Sequence, residues 1–132
     1  MNLLYQADFL NQIVQEIAYV APKNWERIVY YTERLENKDI GIRNKSTAEC
    51  WIGREMKPYN NSKVAPLRGS MELFDAINNL YKEAIRSGNV WCGLLIAINN
   101  NGKYSSKFYY EGTPLLDGND AELDKRLAET TP

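Results

Sequence analysis

The stretch from Asn89 to Gly112 reads NVWCGLLIAINNNGKYSSKFYYEG, and its reading decides the fold. A nearly unbroken apolar run meets three asparagines and a glycine, then a second run rich in tyrosine. Asn101-Gly102 is a strong hairpin-turn signal, because both residue types tolerate positive φ. On the outgoing strand Val90, Cys92, Leu94, Ile96 and Ile98 alternate with Trp91, Gly93, Leu95 and Ala97, so both faces are apolar. A strand of that kind is expected inside a sheet, covered on both sides. The returning strand puts Tyr104, Ser106, Phe108 and Tyr110 on one face, with Ser105, Lys107, Tyr109 and Glu111 on the other. That mixed alternation places it nearer the sheet edge.

Upstream of the hairpin, Met71 to Ser87 has helical spacing, with Leu73, Ile77, Leu80 and Ala84 forming a stripe widened by Phe74, Tyr81 and Ile85. Ser70 is a natural N-cap and Gly88 a natural left-handed exit. Residues 55–69, with two prolines and two asparagines, read as the longest loop, of a length that tends to be functional or mobile. Before it, two short strands are expected around Ile40–Arg43 and Ala48–Gly53, separated by Asn44-Lys45-Ser46-Thr47. Glu36 to Asp39 reads as a turn. Trp25 to Leu35 is rich in branched and aromatic residues and predicts a strand partly covered on both faces. Leu10, Ile13, Val14 and Ile17 give Leu3 to Tyr19 one buried helical stripe, which Pro22 terminates. After the hairpin, Asp120 to Ala128 predicts a short helix with acids at its N-terminus. The expected order is helix, three strands, helix, two strands and a short C-terminal helix. That is an α+β fold, an antiparallel sheet of about five strands with helices packed on it.

The chain of 132 residues is expected to be a single domain, residues 1–132, burying roughly two-thirds of its unfolded surface. Apolar residues are 44% and charged residues 25%, which excludes a disordered class. No signal pattern opens the chain and no apolar run is long enough to span a membrane, so a cytoplasmic location and no membrane partner are expected. Cys50 and Cys92 lie in apolar strands and read as buried thiols of a reducing compartment. The net charge of −1 is unevenly placed. Residues 1–110 carry 14 Lys/Arg against 11 Asp/Glu; residues 111–132 carry six acids against two cations.

The absence of histidine removes the commonest general base and the commonest metal ligand. Two isolated cysteines without histidine build neither the usual thiolate metal site nor a Cys-His nucleophile pair. No phosphate-binding glycine pattern occurs, so no cofactor, metal or small-molecule substrate is expected. A basic stripe is missing too, and the acidic end opposes phosphate, which argues against direct nucleic-acid binding. Glu111, Asp117 and Asp120 leave a carboxylate mechanism formally open. Exposed tyrosines beside charge suit a protein interface better.

Two segments resemble a known family. Ile17 to Glu33, IAYVAPKNWERIVYYTE, resembles the opening of the YezG-like antitoxin and immunity proteins, with a Pro-x-x-Trp step at Pro22 and Trp25. Glu72 to Glu111 resembles their later half through Trp91, Gly102-Lys103, Phe108, Tyr110 and Glu111. Residues 36–68 match only in length and strand character. The resemblance implies a bacterial immunity protein that neutralises a cognate toxin domain, a nuclease in the leading case, in a one-to-one complex and without catalysis. On that reading Glu111, Asp117, Asp120, Glu122 and Asp124 would meet the cationic groups with which a nuclease holds phosphate, and Tyr109 would be an aromatic anchor. The plain alternative for each carboxylate is a solvated surface charge, and for Tyr109 a ring that covers the sheet. A non-catalytic adaptor or secretion chaperone is the runner-up function, and a small carboxylate-dependent enzyme the third.

Overall fold

The computed structural model describes residues 3–22, 25–39, 41–52, 57–58 and 70–129. The fold is α+β. Its elements run α1 (Leu3–Val20), β1 (Trp25–Asn37), β2 (Gly41–Ile52), β3 (Lys57–Pro58), α2 (Met71–Ser87), β4 (Gly93–Asn99), β5 (Tyr104–Tyr109), α3 (Pro114–Asp117) and α4 (Asp120–Ala128). They divide into two compact units interleaved along the chain, one holding α1 and α2, the other holding the sheet with α3 and α4.

In the helical unit α1 and α2 pack together. Leu10, Ile13, Val14 and Ile17 are buried, as the spacing predicts. Ser70 Oγ accepts from Leu73 N at 3.0 Å and starts α2. Gly88 ends it at φ 78°, donating to Ile85 O while Asn89 N reaches Ala84 O, so two orphan carbonyls are satisfied by one left-handed residue. The buried stripe is narrower than expected. Leu73, Ile77, Leu80, Tyr81 and Ala84 are buried, but Phe74 and Ile85 stay 47% and 45% exposed. Both lie on one flank of the stripe, beyond the arc that burial reaches.

The sheet is antiparallel throughout, in the order β3-β2-β1-β4-β5, with four substantial strands and a two-residue β3. β1 is central, and its eight residues from Arg27 to Arg34 are all buried. The two strands expected around Ile40–Arg43 and Ala48–Gly53 merge, over the described residues Gly41–Ile52, into one continuous strand, β2, in unbroken register with β1 from Arg27↔Trp51 to Asn37↔Gly41. Ile40 and Gly53 lie outside the described residues. Polar Asn44 to Thr47 does not interrupt it, because Ser46 pairs across the ladder with Thr32 and its Oγ donates to Thr32 Oγ1 at 2.7 Å. The expected loop at residues 55–69 lies outside the described residues except for β3.

β4 is buried from Gly93 to Ile98, and β5 forms the edge, as the hairpin predicts. One side of the sheet gathers Val29, Tyr31, Leu95 and Ala97, and Leu115, Leu123 and Leu127 of α3 and α4 pack on it with Trp51 and Tyr109. Full burial of a leucine contributes about 1.5–3 kcal/mol, and these three, half-buried, contribute a fraction of that each. The alternation at the start of β4 departs from the expected one. Gly93 is the Cα partner of Tyr109, yet Cys92 N also donates to Tyr109 O at 2.8 Å. Two residues therefore oppose one, which is a β-bulge. It turns the Cys92 thiol toward Tyr109 O and Gly112 O, at 3.4 and 3.3 Å, rather than to the side of Leu94, and brings Trp91 against Phe108 instead. Both cysteines are buried free thiols, and burial raises the pKa of each.

Candidate protein-binding site

The acidic residues singled out in the sequence belong to one continuous segment, residues 111–124, carried on the sheet by a buried polar network. At its base is Glu33, on β1 and wholly buried. An isolated carboxylate in that position would be costly. Glu33 instead accepts three hydrogen bonds, from Tyr31 Oη, from Leu115 N at 3.0 Å and from Leu116 N at 2.8 Å. The last two are orphan donors at the start of α3, so the carboxylate fastens that turn to the central strand.

Arg126 completes the network from α4 and is 5% exposed. Its Nη1 donates to Tyr31 Oη at 2.9 Å and to Gly112 O at 3.0 Å, and its Nη2 donates to Glu111 O at 2.7 Å. Its Nε lies 3.4 Å from Glu122 Oε1, and its guanidinium sits 4.3 Å from the centre of the Tyr109 ring. Burial alone would lower the Arg126 pKa; the Tyr31 hydrogen bond and the Glu122 carboxylate outweigh it, and the net shift is upward. Tyr31 is shifted upward as well, first by burial and then by its hydrogen bond to Glu33. The chain Arg126 to Tyr31 to Glu33 thus joins α4, the sheet and α3.

The site residues fall into two sets on this frame. Glu111, Asp117, Asp120 and Asp124 are exposed, and none pairs with Lys or Arg among the described residues. Asp117 accepts from Thr113 Oγ1 at 3.0 Å, and Asp120 opens α4, whose cap is Asn119 accepting from Glu122 N. Glu122 is half-buried and turned inward to Arg126. Tyr109 is half-buried, edge-on to Tyr31 with ring centres 6.1 Å apart, and Arg126 occupies one face of its ring. Its Oη is buried with no hydrogen-bond partner among the described residues. The supports missed in the sequence are Glu33 and Arg126. An acid two residues after Tyr31, on the strand face it shares with Val29, was the available signal for Glu33.

Among the described residues no group of three or more His, Cys, Asp or Glu side chains could hold a metal ion, and no helix is long and apolar enough to cross a membrane. No protein-family model matches the chain, and no curated protein matches it.

Proposed function

We propose that the chain is an immunity protein, an antitoxin that binds a cognate bacterial toxin domain one-to-one in the cytoplasm and blocks it, the toxin being a nuclease. The observation that carries this reading is the display of Glu111, Asp117, Asp120 and Asp124, exposed and without cationic partners among the described residues, on a segment pinned by buried hydrogen bonds. A nuclease holds phosphates with Lys and Arg; carboxylates on a rigid support can occupy those cations and steer association. Because Glu33 and Arg126 already fix the segment, little ordering entropy is lost when a partner docks. The resemblance at Ile17–Glu33 and Glu72–Glu111 supports the same function.

The test is to express the C-terminal domain of the large protein encoded immediately upstream, and to measure its binding to this chain and the growth of cells carrying both. Tight one-to-one binding with restored growth is the expected result. Binding without rescue would favour an adaptor or chaperone, and no binding would overturn the proposal for that toxin.

A further inference from the structure

The two edges of the sheet are built differently. β3 is two residues long, includes Pro58 and pairs only with Trp51 and Ile52 at the end of β2. β5 runs six residues without proline or glycine. Its ladder with β4 uses the odd-numbered residues, since Asn99 N donates to Lys103 O and Cys92 N to Tyr109 O. Alternation then turns the N–H and C=O of Ser106 and Phe108 out of the sheet. Ser105, Ser106 and Lys107 are exposed, and the Lys107 amine is drawn to Glu129 rather than guarding the edge.

We propose that this edge pairs with the same edge of a second copy, antiparallel, about a two-fold axis at Ser106. The strand is self-complementary in that register. From Lys103 to Glu111 it is cationic at one end and anionic at the other. Antiparallel pairing centred on Ser106 sets Tyr104 of each copy against Phe108 of the other, and Lys107 against Ser105. Lys103 lands diagonally between the other copy's Glu111 and its Lys107, whose amine is already engaged by Glu129. Each favourable contact occurs twice, and no like charges are directly opposed. Lys103 and Glu111 are both exposed, and neither has an ion-pair partner among the described residues. The two-fold arrangement is isologous and uses up the β5 edge of both copies. The proposal does not rest on the immunity reading: pairing engages Glu111, while Asp117, Asp120 and Asp124 stay exposed.

Sedimentation equilibrium of the full chain over a range of concentrations tests it. Wild type is expected to dimerise with a dissociation constant below about 1 mM, the weak end of specific association. Ser106→Pro removes an N–H that the ladder with β4 does not use. It should retain the far-ultraviolet circular dichroism of wild type and weaken the dimer about tenfold or more. If Ser106→Pro does not fold, Lys103→Glu and Lys103→Glu/Glu111→Lys decide: the single change should weaken the dimer and the double change restore it. A wild type that stays monomeric at about 1 mM would overturn the proposal. So would a dimer indifferent to a folded Ser106→Pro, or one indifferent to both charge variants.

Discussion

A Cβ placed on Gly93 would lie 2.9 Å from Tyr31 Oη, and 3.3 Å from Tyr109 Cβ. The hydroxyl has no room to yield, because it donates to Glu33 and accepts from Arg126. Gly93→Ala should therefore destabilise the protein by about 1–3 kcal/mol, the usual cost of overpacking. Urea titration measures it. Coupling is the sharper readout: combined with Tyr31→Phe, which removes the hydroxyl, Gly93→Ala should cost less than it does alone. Strict additivity of the two changes would contradict the contact.

Glu33 is the residue on which the acidic segment depends most. Glu33→Ala leaves Leu115 N, Leu116 N and the Tyr31 hydroxyl without their acceptor and should cost about 3–5 kcal/mol, the scale for breaking a buried charged network. Glu33→Gln keeps the shape and one carbonyl oxygen and should cost less. Amide hydrogen exchange separates this from general weakening: protection at Leu115 and Leu116 should fall before protection in β1. Equal loss at both places would mean that Glu33 does not anchor α3.

The ordering of the elements was legible in local chemistry, the network was not. α2 could be read to the residue because its start and stop are chemical events inside a few positions, a Ser70 hydroxyl cap and a Gly88 left-handed turn. α4 was legible for the same reason, with its acids at the N-terminal end. β2 was split because polarity at Asn44–Thr47 looked like a loop, whereas a strand at the side of β1 tolerates hydroxyl and amide groups. The bulge at Cys92 inverted the expected facing of two residues, since a period of two carries no sign of an inserted residue beyond the glycine itself. Four of the acids stand on the surface as charges visible in composition, but Arg126 meets Tyr31 from 95 positions away. No periodicity reports a contact of that separation.

Raised pKa values in groups that lose a proton at high pH give the fold an alkaline weakness. Tyr31 is shifted upward by burial and by Glu33, and Tyr30, Tyr104 and Tyr109 are also shifted upward by burial. In the unfolded chain a tyrosine ionises near its ordinary value of about 10. The stabilisation from keeping it neutral is complete below that value and is lost as pH rises toward the higher folded value, because the unfolded state then holds fewer protons. Cys50 and Cys92 act in the same direction from slightly lower pH. The midpoint of thermal unfolding should fall from about pH 9 upward, and more gently in Tyr31→Phe. A flat profile to pH 11, well above the tyrosine reference of about 10, would contradict this.

Reversing Asp117, Asp120 and Asp124 to Lys should slow association with the toxin about 10–100-fold at low salt and flatten its salt dependence. Asp120 is at the start of α4, where a cation opposes the helix dipole by about 0.3–1 kcal/mol, so Asp120→Asn with the other two reversals controls for folding. Stopped-flow measurements at several ionic strengths give the answer. An unchanged salt slope would move the interface to another face of the molecule.

The central place of β1 also bears on synthesis. Its pairing with β2 is local, but its other neighbour arrives some sixty residues later, where Glu33 meets Gly93. At about 5–20 residues per second a ribosome needs roughly 3–12 s to supply that partner. For that interval the nascent β1 has one open edge and a carboxylate with no turn to hold. Ribosome-bound chains halted at residue 90 should therefore cross-link to a holding chaperone, and chains halted after full release of α4 should not. Equal cross-linking at both lengths would argue that β1 waits for β4 before it forms at all.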